Sequence, residues 1–268
     1  MAVAWVDRMA VDVRGDGGDA IVFVHGLGGT LNVWTPLLPA LSRWRCVRPE
    51  LPGAGRSTRA YVLGEATPHR GHLSAETLAD AVLRVCEVLG LARAHVVAHS
   101  FGTLIAQHLA VKAPQRVRSL ALVGALAEPA PAQREAMRAR AAAAREQGLF
   151  DIADAVSQAA LSASSRETQP VTVAYVRESL LAQDAEGYAR SCLALAEATA
   201  ARTELIGCPV LVVNGDEDVV TPLSGARQLA NRLSNSRVEV LGRCGHWPTL
   251  ERPAECQRLL RDFLDRVR

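Results

Sequence analysis

Short, nearly continuous apolar runs at Ala20-Ile-Val-Phe-Val24, His95-Val-Val-Ala-His99 and Pro209-Val-Leu-Val-Val213 constrain this chain more than any other feature. A strand without polar alternation must be buried on both faces, and such strands sit inside parallel sheets covered by helices. The segments between the runs fit that arrangement. Val24 leads into a glycine turn, His25-Gly-Leu-Gly-Gly29, and Trp44 to Leu51 is a weaker strand closed by Pro52-Gly-Ala-Gly55. Ser74 to Leu89 carries Leu78, Val82, Val85 and Leu89 on one helical stripe. Ser74 suits the N-cap, although Glu76 falls one place short of a capping box. Phe101 to Ala113 reads as a helix stopped by Pro114, and Val117 to Val123 as a further strand. Strand, turn and helix in repetition predict an α/β fold with parallel strands and helical crossovers.

The rhythm then breaks. From about Glu128 to Arg202 no strand is evident, and helices are predicted over Ala132 to Gln147, Ile152 to Ala163, Val171 to Leu181 and Gly187 to Ala200. Ser162 to Pro170 has the polar composition of a mobile joint. The α/β pattern returns at Pro209 to Val213, with a helix from Leu223 to Leu233, a strand from Val238 to Leu241 and a last helix from Pro253 to Val267. The expected organisation is one sheet-based core, residues 1–126 and 204–268, interrupted by helices over 127–203.

The 268 residues, 49% of them hydrophobic, are enough for such a core without disulfides or a structural metal. Thirty basic against 28 acidic residues leave a net charge of +2, which gives no electrostatic case for nucleic acid or an anionic membrane as partner. The basic residues are 29 Arg and a single Lys, Lys112. The first thirteen residues alternate apolar and polar, with no basic start and no apolar run of secretory length. Six scattered cysteines form no C-x-x-C pair, so they read as thiols, and a cytoplasmic location is expected.

The chemistry centres on Ala98-His99-Ser100-Phe101-Gly102, between a strand and a helix. A nucleophile elbow reads G-x-S-x-G in that context, and Ala98 is a sterically mild substitute for its first glycine. The elbow lifts a serine hydroxyl clear of the sheet at a helix N-terminus, where the macrodipole favours developing negative charge. A serine needs a base to take its proton, and the base needs an acid to hold its tautomer. His246 follows the strand Val238 to Leu241; Asp216 and Asp218 follow the strand before it. The order Ser100, Asp218, His246 is nucleophile, acid, base. An oxyanion hole would come from the backbone N–H groups of Phe101 and Leu27.

With these motifs, and with Leu51-Pro-Gly-Ala-Gly-Arg-Ser57 and Gly215-Asp-Glu-Asp218, the chain resembles the α/β-hydrolase superfamily. The resemblance implies an α/β-hydrolase fold with a mostly parallel sheet. It makes Asp218 rather than Asp216 the acid, makes 127–203 a helical cap over the site, and requires no cofactor. His25 would then bond the loop backbone and His99 would pack on the sheet. Glu186 to Cys192 before Cys208-Pro-Val-Leu-Val-Val213 is similar to the cap exit of 3-oxoadipate enol-lactonases. Cys244-Gly-His-Trp247 with Glu251 resembles the carbon–carbon hydrolases of aromatic meta-cleavage products instead. The lactonase side is favoured, because the oxyanion turn and His99 depart from the carbon–carbon hydrolase pattern. Aspartate-nucleophile relatives are disfavoured because the elbow residue is Ser100.

The expected activity is hydrolysis of a small carboxylic ester or lactone through an acyl-enzyme. The alternatives are carbon–carbon hydrolysis by the same residues, and a ligand sensor with residual hydrolase activity. Trp34 and Trp247 are candidates for the substrate pocket. Arg138 or Arg190 is the candidate clamp for a substrate carboxylate, since guanidinium suits bidentate carboxylate binding. No metal site is expected. His95 and His99 lie four apart on one strand face without further ligands nearby, and His69 and His72 read as solvated loop residues.

Overall fold

The computed structural model describes residues 3–60 and 72–267. Eight strands form one sheet: β1 (Val3–Val6), β2 (Met9–Arg14), β3 (Ala20–Val24), β4 (Arg45–Pro49), β5 (Ala94–His99), β6 (Val117–Val123), β7 (Val210–Gly215) and β8 (Ser236–Leu241). Their order across the sheet is β1-β2-β4-β3-β5-β6-β7-β8. β3 to β8 pair in parallel, as the apolar runs predict, and β1 and β2 add an antiparallel edge. Asp7 and Arg8, at φ 45° and 71°, make the tight turn between β1 and β2. Positive φ at both central residues matches the twist of a two-residue hairpin.

The runs behave as strands buried on both faces. In β3, Ala20, Val22 and Val24 enter one apolar cluster while Ile21 and Phe23 enter the other. The alternation repeats in β7, with Val210 and Val212 opposite Leu211 and Val213. Helices cover both faces: α1 (Ala75–Val88), α2 (Phe101–Lys112), α8 (Leu223–Asn231) and α9 (Pro253–Arg266). Ser74 caps α1, and the box is completed by Thr77 rather than by a carboxylate: Thr77 N–H donates to Ser74 Oγ at 3.2 Å, and Ser74 N–H to Thr77 Oγ1 at 2.8 Å.

Between β6 and β7 run five helices, α3 (Pro131–Gln147), α4 (Phe150–Ala159), α5 (Ala163–Thr168), α6 (Pro170–Leu181) and α7 (Ala185–Glu197). Their buried side chains, among them Ala144, Leu180 and Tyr188, join the cluster that holds Phe23 and Val97. The insert packs mainly on that side, while Ala194 of α7 joins the cluster on the other. The expected mobile joint is instead helix α5, capped by Ser162, whose side chain accepts from Ser165 N–H. A polar stretch was mistaken for a loose one because serine's preference for N-caps looks like loop composition. No helix among the described residues is long and apolar enough to cross a membrane.

One buried ion pair pins the antiparallel edge to the sheet. Arg48 on β4 donates to Asp12 on β2 through Nη2 at 2.6 Å and Nε at 3.2 Å, and its Nη1 reaches the Leu31 carbonyl and Thr35 Oγ1. Both side chains are 2% exposed. Asp12→Ala leaves the guanidinium buried without its carboxylate, which costs about 3–5 kcal/mol. A large fall in the urea midpoint, with the slope unchanged, is the expected result.

Candidate active site

The elbow forms as the sequence predicts. Ser100 adopts φ 55° and ψ −125°, between the last residue of β5 and the first of α2. A non-glycine residue there is strained, and the surroundings hold it. Ser100 N–H donates to the Val123 carbonyl at 2.9 Å, while Thr103 Oγ1 and N–H both donate to the Ser100 carbonyl. Gly102 is required by close approach: a Cβ there would sit 2.3 Å from the Val24 carbonyl oxygen. That contact brings α2 against the end of β3, and with it the turn that follows. A Cβ on Gly26 would lie 2.7 Å from Ser100 Cβ, so the turn's backbone runs directly beside the serine.

His246 and Asp218 come to the same place from the loops after β8 and β7. His246 Nδ1 is 2.9 Å from Asp218 Oδ2, and Nε2 is 2.8 Å from Ser100 Oγ. A carboxylate only accepts, so Nδ1 carries the proton and Nε2 presents its lone pair to the serine hydroxyl. Asp216 is elsewhere: its Oδ1 accepts from Cys244 N–H at 3.1 Å. Asp218 is 5% exposed and fully bonded. Its Oδ1 accepts from the N–H groups of Val220 and Thr221, and its Oδ2 accepts from Thr221 Oγ1 as well as from His246. Burial alone would push this carboxyl upward, but the His246 charge and the bonds from His246 and Thr221 outweigh it and hold it below the ordinary value.

Leu27 and Phe101 flank the serine. Among the described residues neither backbone N–H has a hydrogen-bond partner. The Gly26 carbonyl, which shares a peptide with the Leu27 N–H, is held at 2.9 Å by His25 Nδ1 and at 3.1 Å by Gly29 N–H. His25 Nε2 accepts from Leu51 N–H at 3.0 Å. Burial lowers the His25 pKa, which keeps the ring neutral with a donor on one side and an acceptor on the other. His99 packs between the His246 ring, at 4.9 Å, and Trp247, at 4.8 Å. Burial first, then the neighbouring His246, drives its pKa down to about 3.

A small cavity of about 20 Å³ opens beside Leu27 and Phe101, lined from the insert by Gln183, Tyr188 and Ser191. The insert is tied down over it. Ser179 Oγ donates to the Gly28 carbonyl at 2.8 Å, and Gln183 Oε1 accepts from Gly55 N–H at 3.0 Å. The remaining candidates lie apart from this cavity. Trp34 is fully buried against Phe23, ring centroids 5.1 Å apart. Trp247 is packed on His99. Arg138 is exposed on α3, and Arg190 is paired with Glu186, which also holds Arg145. His72 is exposed, 4.0 Å from Glu197, and His69 lies outside the described residues. Sequence reasoning missed Gln183 and Ser191, which carry no motif, and Thr221, which stood in the acid loop without an assigned role.

A mostly parallel sheet, a serine on a strained strand–helix turn and a histidine on a late loop define a hydrolase of the α/β class. The chain belongs to the alpha/beta hydrolase fold family, whose model matches residues 19–253. It is 29% identical, over 99% of its length and 98% of the relative's, to a Caulobacter vibrioides protein named as a carbamate hydrolase, RutD. It is 30% identical to 3-oxoadipate enol-lactonase 2 of Acinetobacter baylyi, over 87% of this chain and 84% of that one. Among solved structures it is similar to the enol-lactonase of Burkholderia xenovorans LB400, with a TM-score of 0.85, 29% identity and 96% of each chain covered.

The lowered Asp218 pKa sets a direction in pH. Its stabilisation is complete above the unfolded value near 3.8 and is lost as pH falls through the lower folded value. Urea unfolding should therefore show a stability gap between the wild type and Asp218→Asn at pH 6 that narrows as the pH is taken below 3.8. A gap that stays constant over that range would contradict this account of the carboxylate.

Proposed function

We propose that this hydrolase cleaves small carboxylic esters or lactones through an acyl-enzyme, with Ser100 as nucleophile, His246 as base and Asp218 as its orienting acid. The observation that carries the reading is the continuous chain from Ser100 Oγ to His246, 2.8 Å, and on to Asp218, 2.9 Å, beside two N–H groups that have no partner among the described residues. Ser100 attacks the carbonyl carbon while His246 Nε2 takes the hydroxyl proton. The N–H groups of Leu27 and Phe101 receive the oxygen that gains charge, and each such donor is worth about 10²–10³ in rate. His246 returns the proton to the leaving alkoxide or enolate. A water then gives its proton to His246, attacks the acyl carbon and releases the acid, restoring Ser100.

Helices α3 to α7 act in this reading as a cap that selects the substrate. Among the described residues no charged side chain lines the cavity beside the oxyanion donors, since His25 is held neutral there. That lining favours a short, uncharged acyl group. The names of relatives spread over several leaving groups, from carbamate to enol-lactone to a 2-hydroxymuconate semialdehyde hydrolase at 29% identity. The Trp247 that underlies the likeness to carbon–carbon hydrolases is engaged in packing on His99.

Ser100→Ala should lower kcat on p-nitrophenyl acetate by about 10⁴-fold or more. In the same panel a small uncharged lactone should turn over faster than a vinylogous diketone acid. Wild-type rates in the variant would sink the mechanism, and preference for the diketone acid would move the enzyme to carbon–carbon cleavage.

A further inference from the structure

The turn that joins α4 to α5, Ala160-Leu-Ser-Ala163, bonds to the loops that carry both Asp218 and His246. His246 N–H donates to the Ala160 carbonyl at 2.8 Å. Ser162 N–H donates to Glu251 Oε2 at 2.9 Å. Ala163 N–H donates to Oε2 of Glu217, the neighbour of Asp218, at 2.9 Å. Glu251 in turn brackets the histidine: Gly245 N–H lies 3.0 Å from each of its oxygens, and Trp247 N–H lies 3.1 Å from Oε1. This carboxylate is 2% exposed and receives three backbone N–H groups from two separate segments. Such charge-assisted bonds are short, strong and directional. Gly245 permits the approach, since a Cβ there would sit 2.6 Å from the Ser162 nitrogen and 2.7 Å from the Ala160 carbonyl oxygen.

We propose that the Ala160–Ala163 turn is a positioning element for the base, with Glu251 as its positioning residue. The proposal rests on the reading of His246 as base and Asp218 as its partner. The insert holds the His246 N–H through Ala160, and Glu251 of the core, itself bonded by Ser162 N–H, holds both flanking N–H groups. The His246 carbonyl is held from the sheet side, where it accepts from His99 Nε2 at 2.7 Å. The N–H groups of residues 245 to 247 and the His246 carbonyl are thus all held, and part of the clamp belongs to the insert. Glu217 ties the acid loop to the same turn, so acid and base share one reference point. Glu251 touches no reacting atom; it acts through the orientation of the ring. The insert cannot lift from the core at this turn without releasing the base.

Glu251→Gln keeps the shape of the side chain but removes the charge and turns one acceptor into a donor. kcat on p-nitrophenyl acetate should fall by about 10–10²-fold, the cost of a misplaced catalytic group, with KM little changed. Two readouts do not depend on the substrate. The far-downfield NMR signal of the proton between His246 Nδ1 and Asp218 should broaden or vanish, and the His246 amide should exchange faster. These still decide the proposal if the wild type hydrolyses no ester, a result that would count only against the assigned activity. A folded Glu251→Gln protein with wild-type kcat, downfield proton and amide exchange overturns it. If that variant does not fold, Ser162→Pro carries the test, because it removes the N–H that donates to Glu251 at a φ of −62° that proline accepts. Faster exchange at the His246 amide supports the coupling, and unchanged exchange overturns it.

Discussion

The site depends on one residue being held in backbone space that its side chain disfavours. Ser100 stands at φ 55° because its N–H is bonded into β6, through the Val123 carbonyl, and its carbonyl is bonded twice by Thr103. The rest follows from that constraint. A sharp turn between β5 and α2 aims the hydroxyl out of the sheet and leaves the Phe101 N–H beside it without a partner among the described residues. It also needs α2 to lie against the end of β3, and only glycine at position 102 gives the room. The turn after β3 is then forced against the serine. Strain of this kind persists only where several independent bonds over-determine it.

The imidazole is treated in the opposite manner. Its backbone stays out of the left-handed region, and its N–H, its carbonyl and the neighbouring N–H groups are bonded by Ala160, His99 and Glu251. Its ring is fixed by Asp218, which Thr221 in turn orients. The serine is made ready by strain and the histidine by saturation of its polar neighbours. The two meet at 2.8 Å although they lie 146 residues apart in sequence.

Much of this was legible in the sequence, for identifiable reasons. The strands buried on both faces announce themselves as apolar runs, and the elbow, the late histidine and the acid are fixed by their places after particular strands. The antiparallel pair at the N-terminus was harder. Val3 to Val13 alternates, but the turn residues Asp7 and Arg8 carry no glycine or asparagine to mark a hairpin. The 3₁₀ stretch Leu31–Leu41 spaces Leu31, Trp34, Leu37 and Leu41 as a helix would, but Pro36 and Pro39 inside it obscure the signal. Substrate contacts were least legible. Helical spacing drew attention to Arg138 and Arg190, yet whether an arginine is available depends on partners such as Glu186, which only tertiary packing reveals. Gln183 reaches Gly28 and Gly55 from more than a hundred residues away and has no motif to betray it.

The Gln183 bridge has a kinetic consequence. Its side chain spans the two glycine loops over a space with room for about one water, so any larger group enters or leaves that space only when the bridge is displaced. Entry and exit become steps that every turnover shares, whatever the speed of bond cleavage. In enzymes arranged this way the ceiling on turnover is set by how often the door opens. The insert that carries Gln183 is also the one bonded, at its Ala160–Ala163 turn, to the histidine loop.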